Sequence, residues 1–128
     1  MTLRILLVDD NLTFLASVKT TLKLVAGAEV VGEAHDSAQA LEMAQRLKPD
    51  LMLLDIVMPG QSGLDVAKAM QAWPQLPRVL FLTMHDNESY RTAAQTLGAL
   101  GLVDKANFVT ELLPIISNLA AQSSGVSP

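Results

Sequence analysis

Several features that would point to other classes of protein are missing from this chain. It contains no cysteine, which excludes disulfide bonds and thiolate metal sites and agrees with a cytoplasmic location. No apolar run approaches the roughly 20 residues that span a bilayer, so we expect no association with membranes. The first apolar run is short and leads directly into acidic residues, which is not the layout of a signal peptide. The net charge of −4 argues against a nucleic-acid surface on this chain.

The composition suits one domain with one well-filled core. Half of the residues are hydrophobic, and a length of 128 residues leaves little room for a second domain. The last eight residues are small and mostly polar, unlike the apolar helical pattern before them. We therefore predict a folded domain over residues 1–120 and a flexible tail, or the start of a linker, over residues 121–128.

Five apolar runs alternate with five helical patterns. The runs are continuous rather than alternating in polarity, which is typical of parallel strands with helices on both faces of the sheet. Strands that alternate with helices over this length predict a doubly wound α/β sheet with right-handed connections. The predicted strands are Leu3–Val8, Glu29–Ala34, Asp50–Leu54, Arg78–Leu82 and Gly101–Val103.

The helical patterns differ in strength. The fourth, which contains Tyr90, Ala94 and Leu97, has a thin, alanine-rich apolar stripe, so we expect it to be the least firmly packed helix. The fifth contains Pro114, and an interior proline costs a helix about 3 kcal/mol. We therefore predict that the regular part of the fifth helix begins near Thr110, which would place the proline close to its first turn.

Acidic residues stand at the ends of two predicted strands. Asp9 and Asp10 directly follow the first strand, and Asp55 directly follows the third. In a doubly wound sheet, ligands bind at the carboxyl ends of the strands, and strands that are neighbours would bring these three carboxylates together. Two unit charges about 4 Å apart repel by about 4 kcal/mol at an effective dielectric constant of 20. The pattern therefore predicts a bound cation or a chemical function at this edge.

The residue types at this edge indicate which cation and which chemistry. Carboxylate oxygens, without sulfur or histidine ligands, match a hard cation such as Mg²⁺. A carboxylate can also attack a phosphoryl group to form an aspartyl phosphate. Thr83 follows the fourth predicted strand and Lys105 lies just past the fifth, so a hydroxyl and an ammonium would join the acids. Together these groups could position a phosphoryl group and neutralise its charge.

This ordered set of residues resembles the receiver domain of a two-component response regulator. The resemblance covers the chain from about Leu3 to Leu119, and residues 82–86 and 98–101 are most similar to the NarL/LuxR class, whose members carry a C-terminal helix-turn-helix domain. It implies a single flavodoxin-like (βα)5 three-layer sandwich with five parallel strands in the order 2-1-3-4-5. The residues that carry it are Asp9-Asp10, Asp55-Ile56-Val57-Met58-Pro59-Gly60, Thr83 and Lys105.

The resemblance implies a role for each acidic residue. Asp55 would accept a phosphoryl group from a sensor histidine kinase or a small phosphodonor. Mg²⁺ would be bound by Asp55, directly by Asp10, largely through water by Asp9, and by the backbone carbonyl of Val57. The chain would not be an enzyme beyond catalysing its own phosphorylation and dephosphorylation.

The resemblance also implies a switch. Lys105 would pair with Asp55 and then with a phosphoryl oxygen, while Thr83 would bond another phosphoryl oxygen and move the loop into the fourth helix. The fourth helix, fifth strand and fifth helix would shift together as a bistable surface. Its output would be transcription through a DNA-binding domain absent from this chain, with homodimer formation on activation as a further expectation.

Two positions depart from the family pattern. Many receiver domains have an aromatic residue three positions before the lysine, where this chain has Leu102, and many have a cis proline after the lysine, where it has Ala106. Because a non-proline cis bond costs about 2.5–4 kcal/mol, we predict a trans bond at Ala106. Val57 and His85 occupy positions that tune the lifetime of the phosphate in the family.

Other functions fit the residues less well. A phosphatase of the haloacid-dehalogenase type would need a second acid two residues after the nucleophile, where this chain has Val57. A flavin-binding domain would need a phosphate-binding loop after the first strand, where Asp9 and Asp10 would repel a phosphate. A stand-alone or phosphorylation-independent receiver, acting as a protein-interaction module, stays open because Leu102 replaces the aromatic residue.

Overall fold

The central layer of the structure, a computed structural model that describes residues 2–85 and 87–123, is a sheet of five parallel strands. The strand order is β2-β1-β3-β4-β5, which confirms the predicted topology. Four of the strands differ from their predicted bounds by a residue at one or both ends. The strands are β1 (Leu3–Val8), β2 (Ala28–Ala34), β3 (Leu51–Asp55), β4 (Arg78–Thr83) and β5 (Gly101–Asp104).

Five helices cover the two faces of this sheet. One core cluster joins the sheet to the first and fifth helices, and a second joins it to the other three, so the fold is a three-layer sandwich. A short 3₁₀ turn, Lys105–Asn107, connects β5 to the last helix. The helices are α1 (Leu12–Leu22), α2 (Ser37–Leu47), α3 (Gly63–Met70), α4 (Glu88–Thr96) and α5 (Phe108–Ser123).

Residues 5–8 of the inner strand β1 show why such runs are apolar without a break. They do not alternate between apolar and polar because both faces of the sheet are covered: Ile5 and Leu7 belong to the cluster under α1 and α5, whereas Leu6 and Val8 belong to the opposite cluster. Each of these four side chains is at most 1% exposed. Burying a side chain of this size contributes about 1.5–3 kcal/mol, so β1 and its equally buried neighbour β3 form the firm centre of the sheet.

The start of α5 corrects the prediction. The helix begins at Phe108 rather than near Thr110, and Pro114 is therefore inside it. Both Pro114 and Thr110, whose carbonyl loses its backbone donor to the proline, are exposed, so the interruption falls on the outer face of the helix. Leu112 and Ile116 are fully buried on the inner face, and this packing offsets the cost of the proline.

The far end of α5 also extends past the predicted domain boundary. The helix continues through Ser123, three residues into the segment predicted as a tail, and residues 124–128 lie outside the described residues. Within the part of the chain that is described, no helix has the length and apolar character needed to cross a membrane.

Helix α4 is held to the sheet by little apolar surface, as predicted. Ala94 is its one buried residue among those described, whereas α1 and α3 each have four. The α4 helix begins at a cap in which the side chain of Asn87 accepts the backbone N–H of Tyr90 at 2.8 Å. The cap fixes where the helix starts, but few side chains fix where it lies.

Candidate functional site

Strand ends bring the predicted acidic residues together at the carboxyl edge of the sheet. β1 lies between β2 and β3, so Asp9, just past β1, is beside Asp55, the last residue of β3. One oxygen from each of Asp9, Asp10 and Asp55 lies within 4.8 Å of the others. The expected meeting of three carboxylates is confirmed.

Asp9 is the most enclosed of the three acids. Its side chain is 0% exposed, and its Oδ1 atom accepts the backbone N–H of Asn11 at 2.9 Å. The side-chain oxygen of Asn11 in turn accepts the backbone N–H of Phe14 at 3.0 Å and caps α1. Asp10, in contrast, is exposed. The loop after β1 therefore holds one acid rigidly and presents the next to solvent.

Lys105 carries the positive charge at the site. Its Nζ atom lies 2.6 Å from Oδ2 of Asp9 and 3.3 Å from Oδ1 of Asp55, and its side chain is only 8% exposed. The expected pairing with Asp55 is present, and the shorter contact with Asp9 was not predicted. Charges this buried are stable only when paired, so removing the lysine would leave two carboxylates uncompensated.

Burial and neighbouring charges make the carboxyl of Asp55 harder to ionise. The pKa of its carboxyl is raised from 3.8 to about 6. Burial is the largest cause because it disfavours the charged form, and the nearby Asp9 carboxylate is the second. The ammonium of Lys105 and a backbone hydrogen bond from Val57 lower the pKa and offset part of that rise. Further positive charge at this edge would favour the ionised, nucleophilic form of Asp55.

The donor set fits a hard divalent cation. All three groups that converge are carboxylates, and Mg²⁺ prefers one or two carboxylates together with water. Oδ2 of Asp9 is buried without a hydrogen bond of good geometry, although the ammonium of Lys105 lies close to it. A buried oxygen without an aligned donor is suited to a metal ion or its water, so the residues present fit Mg²⁺.

Thr83 lies on the other side of Asp55. It is the last residue of β4, which pairs with β3, and it is 1% exposed. Its Oγ1 atom accepts the backbone N–H of His85 at 3.0 Å, so the hydroxyl is tied to the loop that leads to α4. His85 and Val57 are both exposed, with Val57 at 57%, and each lies two residues past a buried residue of the site, Thr83 and Asp55 respectively.

The two departures from the family pattern have clear places in the structure. Leu102 on β5 is partly buried and packs against the core cluster that faces α4. The peptide bond between Lys105 and Ala106 is trans, as predicted, and the backbone N–H of Ala106 donates to Oδ1 of Asp104 at 2.9 Å. This bond starts the 3₁₀ turn, so β5 leads into α5 without a proline.

Gly63 is a residue of the site that the sequence analysis missed. It is the first residue of α3, and its N–H donates to the carbonyl of Ile56 at 2.8 Å. A Cβ at this position would overlap the backbone carbonyl oxygen of Asp55. The signal was a glycine at a helix start eight residues past Asp55 (63 − 55), where other residues are usually preferred.

Phe14 was also missed, because its spacing matches the apolar stripe of α1. Its ring centroid lies 4.7 Å from Nζ of Lys105 and 5.0 Å from the ring centroid of Phe108, in an edge-to-face arrangement with 67° between the ring planes. The spacing alone could not separate a core phenylalanine from one that contacts the site.

The comparisons with known proteins show to which family the chain belongs. Residues 5–117 match the family described as the response regulator receiver domain. The chain is 35% identical over 125 residues to "Probable transcriptional regulatory protein NarL" of Mycobacterium tuberculosis, which covers 98% of this chain and 58% of that protein. It is 39% identical over 104 residues to a protein-glutamate methylesterase/protein-glutamine glutaminase of Myxococcus xanthus, covering 80% of this chain and 30% of that protein.

A solved structure gives the same result for the fold. The signal receiver domain of the Mycobacterium tuberculosis response regulator NarL superposes with a TM-score of 0.85 at 35% identity, covering 93% of this chain and 96% of that one. The chain thus spans a little over half of the NarL protein but nearly all of its receiver domain. It belongs to the response regulator receiver domain family and is of the NarL/LuxR type.

Proposed function

We propose that this receiver domain accepts a phosphoryl group on Asp55 from a sensor histidine kinase in a reaction that depends on Mg²⁺. The observation that carries the proposal is the position of the Asp55 carboxylate, 3.3 Å from the Lys105 ammonium and within the cluster of three acids. A cation held by these acids would favour the ionised, nucleophilic form of Asp55 and would neutralise charge on the phosphoryl oxygens, and phosphoryl transfer to an aspartate needs both.

In the proposed step, an oxygen of Asp55 attacks the phosphorus atom, and the bond from phosphorus to the donor nitrogen or oxygen breaks. The Lys105 ammonium would then move from the acids to a phosphoryl oxygen, and the Thr83 hydroxyl would donate to another. Asp9, Asp10, Asp55 and the backbone carbonyl of Val57 would hold Mg²⁺, which supplies the charge that neutralises the phosphoryl oxygens when bound.

Thr83 would transmit phosphorylation of Asp55 to the rest of the domain. Its oxygen already accepts the N–H of His85, so a hydroxyl that moves toward the phosphoryl group would pull the loop that leads to the Asn87 cap of α4. Because Ala94 is the one buried residue among those described in α4, we expect this pull to shift the α4-β5-α5 surface at low cost. Val57 and His85, at the exposed rim, would set how easily water reaches the acyl phosphate.

The proposed output is control of transcription in the cytoplasm, through a DNA-binding domain outside this chain and with homodimer formation on activation. The support is the relative named as a transcriptional regulatory protein, which matches 98% of this chain over 58% of its own length. One observation favours a second candidate, a phosphorylation-independent interaction module: Leu102 occupies the position of the aromatic residue expected to report switching.

The test is incubation with acetyl phosphate and Mg²⁺ followed by intact mass measurement. The wild-type protein should gain one phosphoryl group, and the Asp55→Asn variant should gain none. Glu42→Gln, an exposed acid paired with Arg46 on α2, serves as the control and should be phosphorylated like wild type. The absence of added mass would contradict the proposal and favour the interaction module, whereas addition that persists in Asp55→Asn would contradict Asp55 as the acceptor.

A further inference from the structure

We propose that Phe14 is a positioning residue for Lys105, because its ring holds the lysine ammonium at the acidic edge. Nζ of Lys105 lies over this ring at 4.7 Å from the centroid, within the distance of about 6 Å at which a cation–π interaction is effective. The inference deepens the proposed phosphoryl transfer, and its kinetic test rests on that function.

Phe14 is fixed relative to the acids by the backbone. Asn11 donates its N–H to Asp9 and accepts the N–H of Phe14, at 2.9 and 3.0 Å, so one residue links the buried acid to the ring. Phe108, the first residue of α5, supports the ring from a second side with its centroid 5.0 Å away. Phe108 follows Lys105 by three residues. The residue that supports the Phe14 ring therefore lies in the same short segment as the lysine.

An aromatic ring provides what an aliphatic side chain in its place would not. The Lys105 side chain is 8% exposed, so its ammonium has lost most of its water, and the acids Asp9 and Asp55 contact it at 2.6 and 3.3 Å. A lysine has a flexible four-carbon stem, and two carboxylates leave the ammonium free to move along the edge. The negative face of the Phe14 ring attracts the ammonium from a further direction and excludes water there. The ammonium thus stays within reach of a phosphoryl group on Asp55.

Two substitutions separate this role from ordinary packing. Phe14→Leu keeps an apolar side chain but removes the aromatic face, whereas Phe14→Tyr keeps the face. By NMR, the ε-methylene protons of Lys105 should be shifted upfield by the ring current in the wild-type protein and in Phe14→Tyr, and should lose that shift in Phe14→Leu. This readout requires no phosphorylation, so it tests the position of the lysine even if the proposed function fails.

The second readout is the rate of Asp55 phosphorylation by acetyl phosphate at saturating Mg²⁺. Phe14→Leu should be slower by about 3- to 10-fold, and Phe14→Tyr should stay within about twofold of wild type. Phe108→Leu removes an aromatic side chain but leaves the ring face of Phe14, and it should slow the reaction less than Phe14→Leu. If Phe14→Leu fails to fold, as judged by circular dichroism, Phe14→Met replaces it.

Two results would overturn the inference. One is an unshifted Lys105 resonance in the wild-type protein, and the other is a Phe14→Leu variant that is phosphorylated at the wild-type rate or that is slowed no more than Phe14→Tyr. A wild-type protein that takes up no phosphoryl group instead contradicts the proposed function, and the NMR readout then decides the position of Lys105 by itself.

Discussion

The two sides of the acidic site are held with very different firmness. On one side, which we name the acceptor side and define as residues 3–22 (β1, its loop and α1) and β3, Asp9 is fully enclosed, every residue of β3 is buried and α1 has four buried residues. On the other, named the readout side and defined as residues 83–97 without Asp86, α4 has one buried residue among those described and Met84 is 64% exposed. The difference indicates that the charged groups are preorganised, while the element beside them is free to shift.

The largest loss of stability is expected from removing the charge of Lys105, the cation that pairs with the buried acids of the acceptor side. Lys105→Met should lower the free energy of unfolding at pH 7 by about 3–5 kcal/mol, because it leaves the buried carboxylates of Asp9 and Asp55 without their partner. Lys19→Met is the matched control, since Lys19 pairs with Glu33 at 2.7 Å but is 40% exposed, and its loss should cost less than about 1 kcal/mol. Urea unfolding in EDTA measures the free energy of unfolding of both variants. Equal losses would mean that the buried ion pairs of Lys105 contribute no more to stability than an exposed pair.

A smaller loss of stability is expected at Gly63, which packs tightly against the backbone of the acceptor side. Gly63→Ala should destabilise the fold by about 1–3 kcal/mol, because the added Cβ overlaps the carbonyl oxygen of Asp55 and must displace the end of β3. Gly101→Ala is the control, because its Cβ would meet Leu80 at 3.6 Å, an ordinary contact distance. Thermal unfolding of the two variants should differ clearly, and a Gly63→Ala protein as stable as Gly101→Ala would contradict the close contact.

Asp55 should affect stability in a manner that depends on pH. The pKa of its carboxyl is about 6 in the folded state, against an ordinary value of 3.8 for the unfolded chain. Between these two values the folded protein binds more protons, so the free energy of unfolding falls as pH rises. Above pH 6, the ionised carboxylate therefore destabilises the fold, and Asp55→Asn should be more stable than wild type by about 1–3 kcal/mol at pH 7.5.

The stabilisation by Asp55→Asn should disappear near pH 4, where the wild-type carboxyl is protonated in the folded state. Urea unfolding across this pH range in EDTA measures the difference, and Glu42→Gln provides a control whose difference from wild type should change little with pH. A stabilisation that is the same at pH 4 and pH 7.5 would show that charge on Asp55 is not its cause.

The smallest effect on stability is expected at the rim between the two sides. Val57 is 57% exposed, so Val57→Ala should change the free energy of unfolding by less than about 0.5 kcal/mol. The same variant should shorten the lifetime of the phosphorylated form, because a smaller side chain admits water more easily. The decay of the added phosphoryl mass measures this, and a longer lifetime would show that Val57 does not shield the site.

Strand ends were the part of the site that the sequence could predict. Continuous apolar runs indicated buried parallel strands, and the known behaviour of such sheets then placed Asp9, Asp10, Asp55 and Thr83 at one edge. The thin packing of α4 was likewise readable from its alanine-rich stripe. Both predictions depend only on which residues follow one another along the chain.

What could not be predicted depends on three-dimensional contacts. The pattern of α5 did not show that the exposed face of the helix would accommodate Pro114, nor that Lys105 would lie closer to Asp9 than to Asp55. Phe14 has the spacing of a core residue, and periodicity specifies a helix face without specifying its neighbour. These contacts follow from how the elements pack, which residue spacing does not determine.

Amide hydrogen exchange before and after adding beryllofluoride and Mg²⁺ tests the contrast between the two sides most directly. Exchange reports local opening, so a region held by few buried contacts should respond to a change at the site. We predict altered exchange across the readout side, from Thr83 through α4, with little change in α1 and β3. Changes confined to α1 and β3, or none at all in a protein that is phosphorylated on Asp55, would contradict this prediction.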